Sequence, residues 1–310
     1  MKKLFAVLAA LSLAAVMAGA QSLNEAKEAF NSGVEAMETN KTEGLAHFRS
    51  ALEIASQCTE EEDAAEFIGT CKTAITGAMM SIAKEQINEA AYDEAVATLN
   101  EAKATATEYG QDEVVAEAES LIPNVYMRKG STLLKNKDFA GAVEALKNVI
   151  AIKADDAQAH LLLGQAQMQA GLMEDAIAAL TKANELGEGN AAKLLSSAYL
   201  REGQALLKAG KNLEAVEALE KSNSYVESGN AYKLIASAYT KAGKNAKSIE
   251  AYKKYLEVTP NAKDAADIMF TIAATAQKAG DKATATEYYK KLSGTKYAEQ
   301  AKAQLAALAK

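Results

Sequence analysis

The sequence predicts an all-α chain, an α-solenoid of antiparallel helix hairpins closed by a C-terminal capping helix. Three observations predict it. The 310 residues are rich in Ala, Leu, Glu and Lys and hold only 2 Pro and no Trp, a composition weighted towards strong helix formers. Apolar β-branched runs bounded by turn residues, which would mark strands, are missing. A pair of small residues 12 positions apart recurs along the chain, in four cases with a turn glycine seven residues after its first member.

The elements follow in order. Residues 1–20 read as a secretory signal peptide: Lys2 and Lys3 form a positive start, Leu4 to Val16 is apolar, and Ala18-Gly19-Ala20 supplies the small residues a signal peptidase needs. The apolar run is too short and too alanine-rich for a membrane span, and no later stretch is apolar for long enough, so the mature chain is expected to have no membrane span and to be exported, periplasmic or otherwise extracytoplasmic, after cleavage following Ala20. The formal charge is −7, and loss of the two N-terminal lysines makes it more acidic. An acidic chain without a dense basic cluster repels phosphate backbones, so nucleic acid is not an expected partner.

Residues 21–75 read as a divergent helical hairpin region, with Gly33 as its candidate small residue. Thr59 and Glu62 have the spacing of a capping box, which predicts a helix starting near residue 60, with the acidic run Glu60–Asp63 favouring its dipole. Cys58 and Cys71 would then lie roughly 17 Å apart along the helix axis, too far for a disulfide, and both are expected to be unpaired.

Residues 76–296 carry the repeat. Its clearest unit, Ala157 to Gly189, has apolar residues at helical spacing (Leu162, Leu163, Ala166), a break at Gly171, and a second helix with Ala176, Leu180 and Ala183 on one face. Closely packed helices need a side chain of little volume at the crossing. Gly164 and Ala176 meet that need, and the pair recurs as Gly130/Ala142, Gly203/Ala215, Ala236/Ser248, Ala273/Ala285 and, more weakly, Ala83/Ala95. Turn glycines stand at 171, 210, 243 and 280. The spacing between units is uneven, and the surplus residues, at about 60–75, 112–122 and 190–195, look helical. They predict extended first helices, with a kink expected at Pro123. Residues 297–310 complete the chain: Tyr297, Ala301, Leu305 and Leu308 share one helical face, as a terminal capping helix requires.

This pattern resembles the tetratricopeptide repeat family, whose unit is about 34 residues with small residues in both helices. Large side chains four residues after the second small one also match: Leu146, Leu180, Leu219, Tyr252 and Tyr289. Tyr126, His160, Tyr199, Tyr232 and Met269 occupy an early slot of the first helix, and Pro260 keeps one closing proline. The family's Trp is absent, and Lys129 and Glu202 stand where a leucine is usual. The resemblance implies a right-handed solenoid whose first helices line a concave face that receives peptides or proteins. Carried onto this sequence, the groove candidates are Met127, Ser131, Lys135, Leu161, Gln165, Met168, Gln204, Lys208, Lys233, Ser237, Lys241 and Lys278. Lys135, Lys208, Lys241 and Lys278 share the slot before each turn. They either offset helix dipoles or form a cationic rail for a carboxylate-bearing ligand.

No catalytic pattern is legible. His47 and His160 have no Cys or second His at ligand spacing. Gly69-Thr70-Cys71-Lys72-Thr73 lacks the first glycine of a phosphate loop, and no nucleophile elbow is present. No metal or cofactor is expected. Met79 and Met80 read as core more than as groove. The expectation is a non-enzymatic scaffold or adaptor for a protein or peptide of the cell envelope. The alternative is a capture module for a non-protein ligand such as a cell-wall fragment, which would need a pocket rich in aromatic and amide side chains.

Overall fold

The computed structural model describes residues 22–309, and the expected signal peptide lies outside the described residues. Fifteen α-helices and no strand are found among them: α1 (Leu23–Ala36), α2 (Lys41–Ala55), α3 (Ala64–Asn88), α4 (Tyr92–Tyr109), α5 (Asp112–Lys135), α6 (Phe139–Ile152), α7 (Ala157–Ala170), α8 (Met173–Glu185), α9 (Ala191–Lys208), α10 (Asn212–Tyr225), α11 (Gly229–Lys241), α12 (Asn245–Val258), α13 (Ala265–Lys278), α14 (Lys282–Lys291) and α15 (Ala298–Leu308). They form consecutive hairpins, α1 with α2 through α13 with α14, followed by α15 on α14. The chain divides into two compact units, one ending at Val125 and the other beginning at Tyr126, within α5.

The small-residue pair sets each hairpin's closest approach. A Cβ on Gly130 would meet Leu146 Cγ at 2.7 Å, and one on Gly203 would meet Leu219 Cγ at 2.6 Å and the Ala215 carbonyl oxygen at 3.3 Å. The large residue four places after each second small one therefore fills the space that the first-helix glycine leaves empty. Leu146, Leu180, Leu219, Tyr252 and Tyr289 are all buried. In the α11–α12 hairpin the second small residue is Ser248, and its buried hydroxyl donates to the Ala236 carbonyl at 2.9 Å. The N-terminal hairpin uses the same device with a shorter turn. Gly33 packs against Phe48 and the Gly44 carbonyl oxygen, so the pair is only 11 apart, which is why Gly44 escapes a search at 12.

The turns obey a positional rule. Seven residues after the first small residue the backbone is left-handed: φ is +80° at Gly171, +76° at Gly210, +72° at Gly243 and +82° at Gly280. Ala90 (+61°) and Lys137 (+62°) hold the same position in the α3–α4 and α5–α6 hairpins, where a Cβ is strained.

The first helices are long where surplus residues were expected, as in α3, α5 and α9, and α5 runs through Pro123. The predicted helix start near residue 60 is incorrect: α3 begins at Ala64, after Asp63 at φ +70° with no side-chain cap. Thr59 and Glu62 do not form a capping box. The acidic run makes a turn instead, and the Glu61 carboxylate accepts the Leu23 N–H at 3.1 Å, so it satisfies an otherwise orphaned donor at the start of α1. Cys58 and Cys71 are both buried and form no disulfide. At the other end Ala301 is buried, and Tyr297, Leu305 and Leu308 pack on the core of α11–α14. Glu299 and Lys302 face solvent.

Candidate binding surface

The second unit presents the first helices α7, α9, α11 and α13, together with the last part of α5. Between α5 and α7 lies a cavity of about 650 Å³ lined by Ser131, Leu134, Lys135, Lys137, Phe139, Gln158, Leu162, Gln165 and Gln169. Three groove candidates, Ser131, Lys135 and Gln165, are brought together here. The α7 residues in its wall are spaced 4, 3 and 4, one outward stripe of a helix. Counted from each repeat's small residue, the same register gives Arg128, Ser131 and Lys135 on α5 and Ser197, Arg201, Gln204 and Lys208 on α9. On α11 it gives Asn230, Leu234, Ser237 and Lys241, and on α13 Asp267, Thr271, Ala274 and Lys278. Every one of these is exposed or half-buried.

The structure buries two of the candidates and finds two more, still half-exposed, packed or ion-paired. Leu161 and Met168 are each only 6% exposed and belong to the core formed with Leu180 and Leu195. Met127 is half-buried and packs on the core cluster that contains Val143, Leu146 and Leu163. Lys233 is ion-paired to Asp264 and lies over the Tyr255 ring at 5.6 Å. Three of them, Met127, Leu161 and Lys233, sit three residues before the small residue, a position that turns towards the neighbouring hairpin. Met168 reaches the same side from four residues after it. Met79 and Met80 are core as well. What sequence reasoning missed is the other half of the stripe: Gln158, Leu162, Gln169, Arg128 and Arg201. The regular 4-3-4 spacing carried that information once one wall was known.

Lys135, Lys208, Lys241 and Lys278 all stand in the last turn of their helices and are exposed. Their fifth equivalent, on α7, is Gln169. Lys233 and Asp264 form a different kind of group. Hydrogen bonds from Lys233 and from the Tyr255 hydroxyl, the latter at 2.5 Å, hold the Asp264 carboxyl below its ordinary range. Asp267 repeats the pattern with Lys296 at 2.5 Å and the Tyr297 hydroxyl at 2.6 Å, and its carboxyl is lowered for the same reason. These two acids clamp α13 to α11, α12 and the start of α15.

A second cavity, of about 590 Å³, opens between α10, α11 and α12 and is lined by Tyr232, Tyr239, Glu220, Lys247, Glu250 and Lys254, among others. Several of its polar groups are engaged with one another or with nearby acids. Tyr232 donates to Glu227, Tyr239 to Glu220 and Lys254 to Glu257. His160 contacts the Ala154 carbonyl at 2.8 Å. Among the described residues, no group of three or more His, Cys, Asp or Glu side chains is placed to hold a metal ion, and no helix is long and apolar enough to cross a membrane.

Comparison with known proteins bears on the repeats. No curated protein matches the chain. Among solved structures, MamA is similar at 27% identity over 59% of this chain and 94% of that one, with a TM-score of 0.38. MamA from Desulfovibrio magneticus RS-1 is similar at 21% identity over 57% and 95%, with a TM-score of 0.36. YrrB, described as a TPR protein with an unusual peptide-binding site, is similar at 16% identity over 58% and 91%, with a TM-score of 0.36. The tetratricopeptide repeat family matches residues 127–191 and 200–268, spans that cover α6, α7, α8, α10, α11 and α12 whole and part of α9. The stretches 127–191 and 200–268, with their small-residue crossings and left-handed turns, are therefore tetratricopeptide repeats.

Proposed function

We propose that the protein is an exported, non-enzymatic scaffold or adaptor that holds a peptide or protein partner of the cell envelope against the outward stripe of its first helices. The observation that carries this reading is the cavity between α5 and α7. Its glutamines and Ser131 offer donors and acceptors to a peptide backbone, Leu134, Leu162 and Phe139 offer an apolar floor, and Lys135 and Lys137 offer positive charge. A few placed polar groups around an apolar floor suit an extended segment. The location rests on residues 2–20 alone, and N-terminal sequencing of the fractionated protein should find Gln21 first. The binding face is tested with a photo-crosslinking residue placed at Gln165 or, as a control, at Glu250 between α10 and α12. Adducts to one defined partner from Gln165 and none from Glu250 are expected. The reverse pattern overturns the reading.

One observation favours the alternative class of ligand. Three amides and one aromatic side chain meet in the same cavity, which is the chemistry a polymer of amino sugars and peptides would use. Co-sedimentation with isolated cell-wall material decides between them: a Gln158→Ala, Gln165→Ala variant that loses sedimentation selects the wall fragment.

A further inference from the structure

Charge is divided unevenly between the two units. Residues 22–125 hold 21 Asp and Glu against 6 Lys and Arg, a formal net of −15, whereas residues 126–310 hold 26 Lys and Arg against 20 Asp and Glu, a net of +6. The few cations of the first unit are already engaged within it. Lys41, Arg49, Lys84 and Lys103 pair with Glu85, Glu101, Glu117 and Glu119, and Lys27 and Lys72 lie over the rings of Phe67 and Tyr109. In the second unit Arg128, Lys135, Arg201, Lys208, Lys241 and Lys278 stand on the outward stripe. The ion pairs of that unit use other lysines: Lys182, Lys211, Lys233, Lys254, Lys291 and Lys296. Asp267 is the stripe's acid, and it is spent on Lys296.

We infer that the cationic stripe docks the acidic N-terminal unit of a second copy of this chain, head to tail. The inference rests on reading the stripe as a docking surface and names its occupant. The charge complementarity is intrinsic to the chain: each copy carries one surplus of each sign, on different units. Opposed surfaces of this kind steer association and fix which patch meets which. A head-to-tail contact leaves one stripe and one acidic unit unused at the ends, so the product grows with concentration unless the ring closes. The attraction between exposed charges is screened over about 10 Å at 0.1 M salt, so the assembly dissolves as salt rises.

The test is light scattering on the full mature chain across protein and salt concentration. Mass above the monomer at about 20 mM salt, rising with protein concentration and returning to the monomer near about 0.5 M salt, is expected. Arg201→Glu with Lys208→Glu, and separately Glu60, Glu62, Glu89 and Glu108 all →Lys, should each give a monomer with unchanged circular dichroism. Mixed together, the two variants should associate again, because the native stripe of one and the native acidic unit of the other are still complementary. A chain that stays monomeric at every salt concentration, or an assembly indifferent to salt and to both variants, overturns the inference. A labelled decaglutamate peptide gives the separate readout. If it binds a monomeric chain and is lost in the Arg201→Glu, Lys208→Glu variant, self-association falls and the docking stripe stands. If neither peptide binding nor assembly is seen, both fall.

Discussion

Gly164 lies directly against Leu180: a Cβ at position 164 would come within 2.5 Å of the Leu180 Cγ and 3.1 Å of the Ala176 carbonyl oxygen. The backbones of α7 and α8 can approach only because that Cβ is absent. Gly164→Val is expected to cost about 2–3 kcal/mol or more by overpacking, and Ala176→Phe a similar amount, read as a drop in Tm. Adding Leu180→Ala to Gly164→Val should recover part of the loss, because the two side chains compete for one space. Strict additivity of the two changes would show that the hairpin crosses elsewhere.

Ala90 and Lys137 adopt the left-handed backbone that glycine supplies in four other hairpins. A non-glycine residue there costs about 1–2 kcal/mol, partly offset by the greater freedom glycine adds to the unfolded chain. Ala90→Gly should therefore raise stability by about 0.5–1 kcal/mol, and Gly171→Ala should lower it by about 1 kcal/mol. Urea midpoints of the two variants, moving in opposite directions, provide the check.

Acid should loosen the C-terminal hairpin. The carboxyls of Asp264 and Asp267 are held below their ordinary value by their Lys and Tyr partners. A carboxylate depressed in the folded state adds stability that is fully present above its unfolded pKa, about 4, and is lost as pH falls through the lower folded value. The chain's Tm should decline between about pH 4 and pH 2 more steeply than that of the Asp264→Asn, Asp267→Asn double variant. Equal slopes would mean that the clamps contribute nothing.

Cys71 should be inert in the native state. It is fully buried, and burial pushes its thiol up to about 11, so at pH 8 only about 0.1% would be thiolate even if a reagent could reach it. Labelling by a thiol reagent should follow unfolding, being slow in buffer and immediate in denaturant. Fast labelling of Cys71 in buffer would show that α3 opens readily.

The repeat was legible because one steric demand recurs at one spacing. A small residue must stand wherever two helices cross closely, and a glycine suits the left-handed turn five residues before its partner. Gly33 with Gly44 escaped the fixed spacing of 12 because their turn is one residue shorter. The start of α3 was misread because a Thr-x-x-Glu spacing can cap its own helix or be spent elsewhere, and Glu61 serves the start of α1. The charge division between the units stood in the sequence throughout. It acquired meaning only once the boundary at Val125 was known.

Composition and periodicity alone determined an all-helical chain of hairpins and the residues at which its helices cross, because those depend on contacts within one hairpin, between residues about a dozen apart. Tertiary structure alone decided which first-helix residues face outward. Leu161 and Gln165 lie one turn apart on α7, yet the next hairpin covers one and leaves the other in a cavity wall. Lys233 stays half-exposed, but its ammonium is engaged by Asp264, 31 residues further on. The packing of one repeat on the next sets these outcomes, through a rotation of each hairpin that no local spacing encodes.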